Sequence, residues 1–148
     1  RNVILPFEGV NMWDDVGLCT RVRFYTRGTA VINKGFYHYN RQNEQSTTRR
    51  PLLERAREQE LCVSCIEDFF RKEDSHDKYR LFLSYLRLVA AEDLFYYEPD
   101  IWRQKFEGLK DDLWKLRKLY TTKQLFKFYT LGCGGIIGKL VWKRFWKR

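Results

Sequence analysis

The spacing of apolar and polar residues divides the chain near residue 50. From Pro51 onward, apolar residues recur mostly every three or four positions, which is the period of an amphipathic helix. This spacing predicts a first helix over residues 51–72, with Pro51 suited to the first helical position, and a second over about 77–96. The second is apolar around so much of its circumference that we expect it to be buried between other helices.

A third helix is predicted over about 100–120, after the break at Pro99. Its apolar residues keep a 3-4-3-4 spacing, as in a coiled-coil seam: Phe106, Leu109, Leu113, Leu116 and Tyr120. Acidic residues interrupt the basic ones on its other face, which disfavours a nucleic-acid-binding helix. We therefore expect this helix to pack in a bundle with the first two, forming an amphipathic helical region over residues 50–120.

The first 49 residues do not show this helical period. Residues 22–40, VRFYTRGTAVINKGFYHYN, alternate in places, with Gly28 and Gly35 as turn or bulge points. This pattern predicts an extended N-terminal arm over residues 1–49 that is irregular or contains a hairpin. The polar stretch NRQNEQSTTRR that follows is predicted to be a linker or a loop.

The last apolar segment has the composition of a short membrane helix. Thr121 or Thr122 can cap it, and its only charged residues between Gln124 and Trp142 are Lys127 and Lys139. Both lie toward the ends, where a long side chain can reach the lipid headgroups. A helix of this length extends roughly 28 Å, which is marginally enough to cross a bilayer. We therefore predict a transmembrane helix over about 123–142, within a segment 121–142.

Residues 143–148 form a basic, aromatic tail after this helix. Aromatic rings and cations together suit the headgroup region of a membrane, because the rings are amphipathic and the cations meet phosphates. The predicted partner is phospholipid, with cardiolipin as one candidate. The residues expected to contact headgroups are Lys139, Trp142, Lys143, Arg144, Trp146, Lys147 and Arg148.

Four glycines stand close together in this segment, and the residues between them exclude two kinds of nucleotide site. A Walker A loop would need glycine at Cys133 and a hydroxyl residue at Leu140. A GxGxxG dinucleotide turn would need its third glycine at Ile137. What remains is the small-xxx-small spacing of membrane helices that pack closely, and the predicted packing strip consists of Gly132, Gly134, Gly135 and Gly138.

The amino-acid composition shows that the chain is strongly basic and rich in aromatic residues. The chain has 28 basic and 19 acidic residues, a net charge of +9, and 17% aromatic residues. Such a chain is typical of proteins that contact nucleic acid, a phospholipid surface or acidic partners.

The residues that could carry chemistry are sparse. Cys62 and Cys65 form the only CxxC, and on the first helix they would share a face as buried thiols, with a disulfide, redox or metal role as alternatives. A zinc site would need a second ligand pair. The two histidines lie in no recognisable catalytic motif, so we predict no catalytic residue, metal, cofactor or small-molecule substrate.

The segment GGIIGK, from Gly134 to Lys139, resembles the G-x-I-I-G-K segment of subunit g of mitochondrial F-type ATP synthase. The resemblance implies amphipathic helices on the matrix side followed by one membrane helix, whose GxxxG face packs on a subunit e-like helix. Gly134 and Gly138 are the positions that carry over, whereas the acid of the family between them is Gly135 here. It implies a non-catalytic accessory subunit of the inner mitochondrial membrane that supports assembly and dimerisation of the proton-transporting complex.

Two alternatives remain open. One is a basic peripheral protein of the mitochondrial ribosome, with Arg21, Arg23, Arg49-Arg50 and the C-terminal tail as RNA contacts. The other is an accessory subunit of a different respiratory-chain complex. The uncharged stretch from Phe128 to Gly138 favours a membrane function, because a tail that binds RNA has no need of it.

Overall fold

The structure is a computed structural model that describes residues 4–35, 51–97, 101, 103–104 and 107–132. Within these residues the chain is mainly helical and forms no β-strand, in agreement with the mainly α fold predicted from the hydrophobic spacing. The α-helices with described bounds in this part of the chain are α1 (Asp14–Tyr25), α2 (Leu52–Lys72), α3 (Arg80–Tyr97), α4 (Lys110–Leu116) and α5 (Thr122–Gly132).

Helices α2 and α3 form a helical hairpin and share the most extensive helix contact among the described residues. Helix α2 begins directly after Pro51, close to the predicted boundary. It ends at Lys72; two residues later Asp74 has a left-handed conformation with φ of 48°, and the backbone amide of Ser75 donates to the Phe70 carbonyl at 2.8 Å. This hydrogen bond satisfies one of the last carbonyls of the helix. Turns then delay the start of α3 to Arg80, three residues after the predicted position.

Helix α3 is the central element, as its broad apolar circumference predicted. One side of α3 joins α2 and the N-terminal residues in a core cluster of Val10, Cys62, Val63, Ile66, Phe69, Phe70, Leu83, Leu86 and Ala90. The other side joins α4 and α5 in a second cluster of Leu88, Ala91, Leu109, Leu113, Leu116 and Phe128. Tyr85 packs against both clusters, so the two cores meet on α3.

The predicted third helix, 100–120, is interrupted in the structure. Its seam residues Leu109, Leu113 and Leu116 are buried as expected, but residues 108–109 form a turn and α4 begins only at Lys110. A glycine such as Gly108 disfavours helix by about 1 kcal/mol relative to alanine, which explains the break. After α4, residues Arg117–Leu119 make a single 3₁₀ turn that ends in extended backbone at Tyr120. Phe106 lies outside the described residues.

The N-terminal segment differs from the predicted arm. Residues Asp14–Tyr25 form helix α1, which packs on α2, and no hairpin forms within residues 22–35. Gly17 permits the N-terminal segment to approach α1 closely, because a Cβ there would meet the Phe7 ring at 2.8 Å; the Cys62 sulfur of α2 would lie at 3.4 Å. The apolar residues of α1 are not segregated on one face, so the helical period gave no signal for it.

Helix α5 begins where the sequence predicted the membrane helix to begin. Thr121 and Gln124 form a reciprocal cap. The backbone N–H of Gln124 donates to Thr121 Oγ1 at 3.3 Å, and the backbone N–H of Thr121 donates to Gln124 Oε1 at 3.0 Å. The helix is described as far as Gly132. None of the helices in the described part of the chain is long and apolar enough to cross a membrane.

Candidate functional site at the base of the C-terminal helix

The first turns of α5 are packed into the protein core. The Phe128 side chain is only 1% exposed and belongs to the cluster formed with α3 and α4. Its ring meets that of Tyr120 edge-on, with 5.4 Å between the ring centroids. The segment that leads toward the glycine cluster is therefore attached to the helical body by buried aromatic contacts.

Lys127 lies inside this contact, so its side chain does not extend outward as its position near the end of an apolar segment had led us to expect. It is 3% exposed, and its ammonium group pairs with the Glu92 carboxylate of α3. A buried ion pair adds little net stability, but its geometry restricts how two helices can face each other. Nearby, burial, together with Tyr85 and Glu92, raises the pKa of Tyr120 above its usual value.

The opposite side of α5 faces outward and carries a large apolar side chain as well as polar and charged ones. Phe126 is 56% exposed, and Lys123, one helical turn before it, is also exposed. The preceding segment shows the same combination: Trp114 is 61% exposed, Leu119 is 65% exposed, and the Arg117 guanidinium lies over the Trp114 ring at 4.7 Å. Residues 114–126 therefore present large apolar side chains next to cations.

The sequence-based predictions missed these exposed apolar residues, although a charge signal was present. After Asp112 the sequence contains no acidic residue, while ten of its 28 basic residues lie there. Residues 113–148 thus carry a charge of +10, and residues 1–112, with 18 basic and 19 acidic residues, carry −1. The positive charge of the chain belongs to its C-terminal quarter.

Of the predicted packing strip, only the first residue, Gly132, is among the described residues. Gly132 is the last described residue of α5. The other strip residues, Gly134, Gly135 and Gly138, lie outside the described residues. So do the predicted headgroup contacts, Lys139, Trp142, Lys143, Arg144, Trp146, Lys147 and Arg148.

A second cluster surrounds the Glu67 carboxylate on α2. Glu67 accepts a hydrogen bond from Arg71 at 2.9 Å and another from Arg87, and lies 3.2 Å from the Nε2 atom of His76. Burial by itself raises the pKa of Glu67, but the hydrogen bonds and charges of these partners lower it below its usual value. The carboxylate is thus held ionised, which suits a structural ion cluster.

A cavity of about 340 Å³ adjoins this cluster and is lined by Glu60, Val63, Ser64, Glu67, Arg87, Ala90, Gly108 and Leu109. A nucleophilic serine needs a base that takes its proton. The Ser64 hydroxyl instead donates to the Glu60 carbonyl of its own helix at 3.0 Å. The cavity therefore does not bring a nucleophile and a base together among the residues described.

Of the two cysteines predicted to be buried on one helix face, Cys62 is buried and Cys65 is half-buried. Cys62 is fully buried in the first core cluster and Cys65 packs against it, and both are free thiols. The Cys62 thiol donates to the Trp13 carbonyl at 3.2 Å, and burial raises its pKa to about 11. Within the described residues, no group of three potential ligand side chains could hold a metal ion.

Two arginines that the ribosomal alternative would use are engaged within the protein. Arg21 donates to the Leu5 carbonyl and lies 4.9 Å from the centroid of the Phe7 ring. Arg23 donates to the Thr29 hydroxyl at 2.8 Å. Arg49 and Arg50 lie outside the described residues.

Comparisons with protein-family models, with curated protein sequences and with solved structures found no match to this chain. The resemblance to subunit g therefore rests on the GGIIGK segment, and function has to be argued from the chemistry of the chain.

Proposed function

We propose that this chain is a non-catalytic accessory subunit of a complex of the inner mitochondrial membrane, best assigned to the ATP synthase. Its helical body lies at the membrane surface, and its C-terminal helix enters the bilayer and packs on a neighbouring helix through Gly134 and Gly138. In this position it supports assembly and dimerisation of the complex.

The charge distribution carries this proposal. All of the net positive charge lies after Asp112, where it surrounds the uncharged stretch from Phe128 to Gly138. Exposed Lys123 before this stretch and the cations from Lys139 onward after it match a segment that enters a bilayer, in which charged groups are stable only at the headgroup levels. Buried Lys127 is paired with Glu92 instead. An RNA-binding tail would use the same cations but would gain nothing from the uncharged stretch.

The packing of α5 also supports the proposal. Phe128 and Lys127 attach the helix to the body, and its last described residue, Gly132, is the first of the glycine cluster. A membrane helix joined to a folded body in this way would transmit the position of the body to its partner helix. Close glycine contacts would then replace the hydrophobic driving force that is missing in lipid.

Two measurements test the proposal. Alkaline carbonate extraction of mitochondrial membranes should leave the chain in the pellet, and native gel electrophoresis should show it migrating with the ATP synthase. The variant Gly134→Leu/Gly138→Leu should reduce the dimeric form of the complex, because leucine side chains would separate the helices.

The matched control is Gly28→Leu/Gly35→Leu, since a Cβ at either glycine meets nothing within 4 Å. This variant should assemble normally. Release of the wild-type chain into the carbonate supernatant, or equal dimer levels in both double variants, would contradict the proposal. Migration with another respiratory complex would retain the membrane function and reject the ATP synthase assignment.

The ribosomal alternative draws on the same basic segment. It predicts co-sedimentation with ribosomal particles that is lost as salt rises, because phosphate contacts release counterions.

A further inference from the structure

We infer that residues 114–126 form a contact surface for anionic phospholipid headgroups on the helical body, separate from the C-terminal tail. The inference rests on the proposed membrane function for its setting, but its evidence comes from the described residues of α4, the 3₁₀ turn and α5. We call these residues the 114–126 surface.

Two aromatic and cation pairs define the surface. At the junction of α4 and the 3₁₀ turn, the Arg117 guanidinium lies 4.7 Å from the centroid of the exposed Trp114 ring and donates to the Trp114 carbonyl at 2.9 Å. On α5, exposed Lys123 and Phe126 are three residues apart and so share one helix face. This arrangement of an aromatic ring beside a cation is the one found at membrane interfaces, where the ring enters the headgroup layer and the cation meets phosphate.

Leu119, between the two pairs, indicates lipid as the partner. It is the most exposed of the three large apolar residues on the surface, and it sits directly after the basic residues Arg117 and Lys118. An aliphatic side chain offers neither stacking nor hydrogen bonds to RNA, whereas it gains free energy by entering the acyl boundary of a bilayer.

The charge around the surface is complementary to anionic lipid. Residues 113–126 include four basic residues and no acidic one. Of the two preceding carboxylates, Asp112 is buried and pairs with Arg80 at 2.9 Å and with Lys115, one of these four basic residues, at 3.7 Å, while Asp111 is exposed at the start of α4. Each basic residue close to an anionic membrane contributes about 1 kcal/mol of attraction.

The 114–126 surface is continuous in the chain with the predicted membrane helix. Helix α5 carries Lys123 and Phe126 on its outer side and continues to Gly132, the start of the predicted packing strip. Contact at the 114–126 surface would therefore hold the body against the membrane next to the point at which the helix enters it.

Quenching of tryptophan fluorescence by brominated lipids tests this inference on the full chain. Wild type and Trp114→Phe are reconstituted into vesicles of phosphatidylcholine alone or with cardiolipin, each with and without bromine near the acyl carbonyls. The difference between the two proteins isolates the Trp114 signal. We expect at least half of that signal to be quenched in the cardiolipin vesicles, whereas the corresponding Trp13→Phe difference should be unaffected, because Trp13 packs against the core.

A double charge-reversal variant tests whether electrostatic attraction to anionic headgroups brings Trp114 to the bilayer. Lys118→Glu/Lys123→Glu should lower the quenching of Trp114 in cardiolipin vesicles to the level in phosphatidylcholine. The control Lys72→Glu/Lys78→Glu makes the same change in net charge at exposed residues of the body and should leave the quenching unchanged.

The outcomes distinguish this inference from the proposed function. Carbonate-resistant insertion with an unquenched Trp114 would overturn the inference alone. Carbonate release with Trp114 still quenched would retain the surface and reject the transmembrane helix. A Trp114 signal that is unquenched by lipid but altered by ribosomal RNA would overturn the inference in favour of RNA.

Discussion

Truncating Phe128 measures how firmly α5 is attached to the helical body. The ring is 1% exposed and packs against residues of α3, α4 and the turn at Tyr120. Burial of an aromatic side chain removes at least about 150 Å² from water, worth roughly 4 kcal/mol at about 25 cal/mol per Å². This figure agrees with the ~3–5 kcal/mol usually lost when a buried phenylalanine is changed to alanine. We expect Phe128→Ala to lower the free energy of unfolding by that amount.

The neighbouring Phe126→Ala is the matched control, because it removes the same ring from the outer side of the same helix. More than half of the Phe126 side chain is exposed, so the expected loss is only ~1–2 kcal/mol. Urea unfolding of the full chain in a mild detergent, followed by near-ultraviolet circular dichroism, compares the two variants with wild type. The slopes of the transitions should be equal, so that midpoints can be compared directly.

The packing of α5 on α3 and α4 would be refuted if Phe128→Ala were no more destabilising than Phe126→Ala. For binding to lipid, we expect the opposite order, with Phe126→Ala as the variant that has the larger effect. If the 114–126 surface meets anionic lipid, Phe126→Ala should weaken the quenching of Trp114 by brominated lipid more than Phe128→Ala does under conditions where both are folded.

Two further predictions concern the titratable groups of the body. The pKa of Glu67 is lower in the folded state than its ordinary 4.5, so its ion cluster should stabilise the protein above about pH 4.5. This contribution should be lost as the pH falls through the folded pKa. The urea midpoint should therefore fall less steeply between about pH 6 and 3 for Glu67→Gln than for wild type. The thiol of Cys62 is buried with a pKa of about 11, so a maleimide at about pH 8 should label exposed Cys19 in the native protein and reach Cys62 only on unfolding, as peptide mass spectrometry can determine. Equal labelling rates at the two cysteines would show that the α1–α2 contact is open.

Helices with a regular apolar spacing could be located from the sequence. The predicted starts at Pro51 and Thr121 lie at or next to the observed ones, since a proline and a capping threonine act within one turn of backbone. Helix α1 could not be found in this way, because its position depends on contact with α2 at Gly17 and on no spacing of its own.

The candidate site shows the same division. The glycine cluster, the uncharged stretch and the concentration of basic residues after Asp112 are properties of the order of amino acids, and they set the charge and the apolar character of the C-terminal quarter. That this C-terminal quarter contacts a membrane is our proposal, and it is argued from these features of the sequence.

Tertiary structure decided which side chains of α5 face the core and which face outward. Lys127 and Phe126 are adjacent in the sequence, yet the charged residue is buried against Glu92 and the aromatic one is exposed. Hydrophobicity alone predicts the reverse. The helix turns about 100° per residue, and its docking on α3 and α4 supplies both an apolar contact for Phe128 and a carboxylate for Lys127. The outward direction of Phe126 follows from that docking, which depends in part on α3, whose Glu92 lies 35 residues before Lys127.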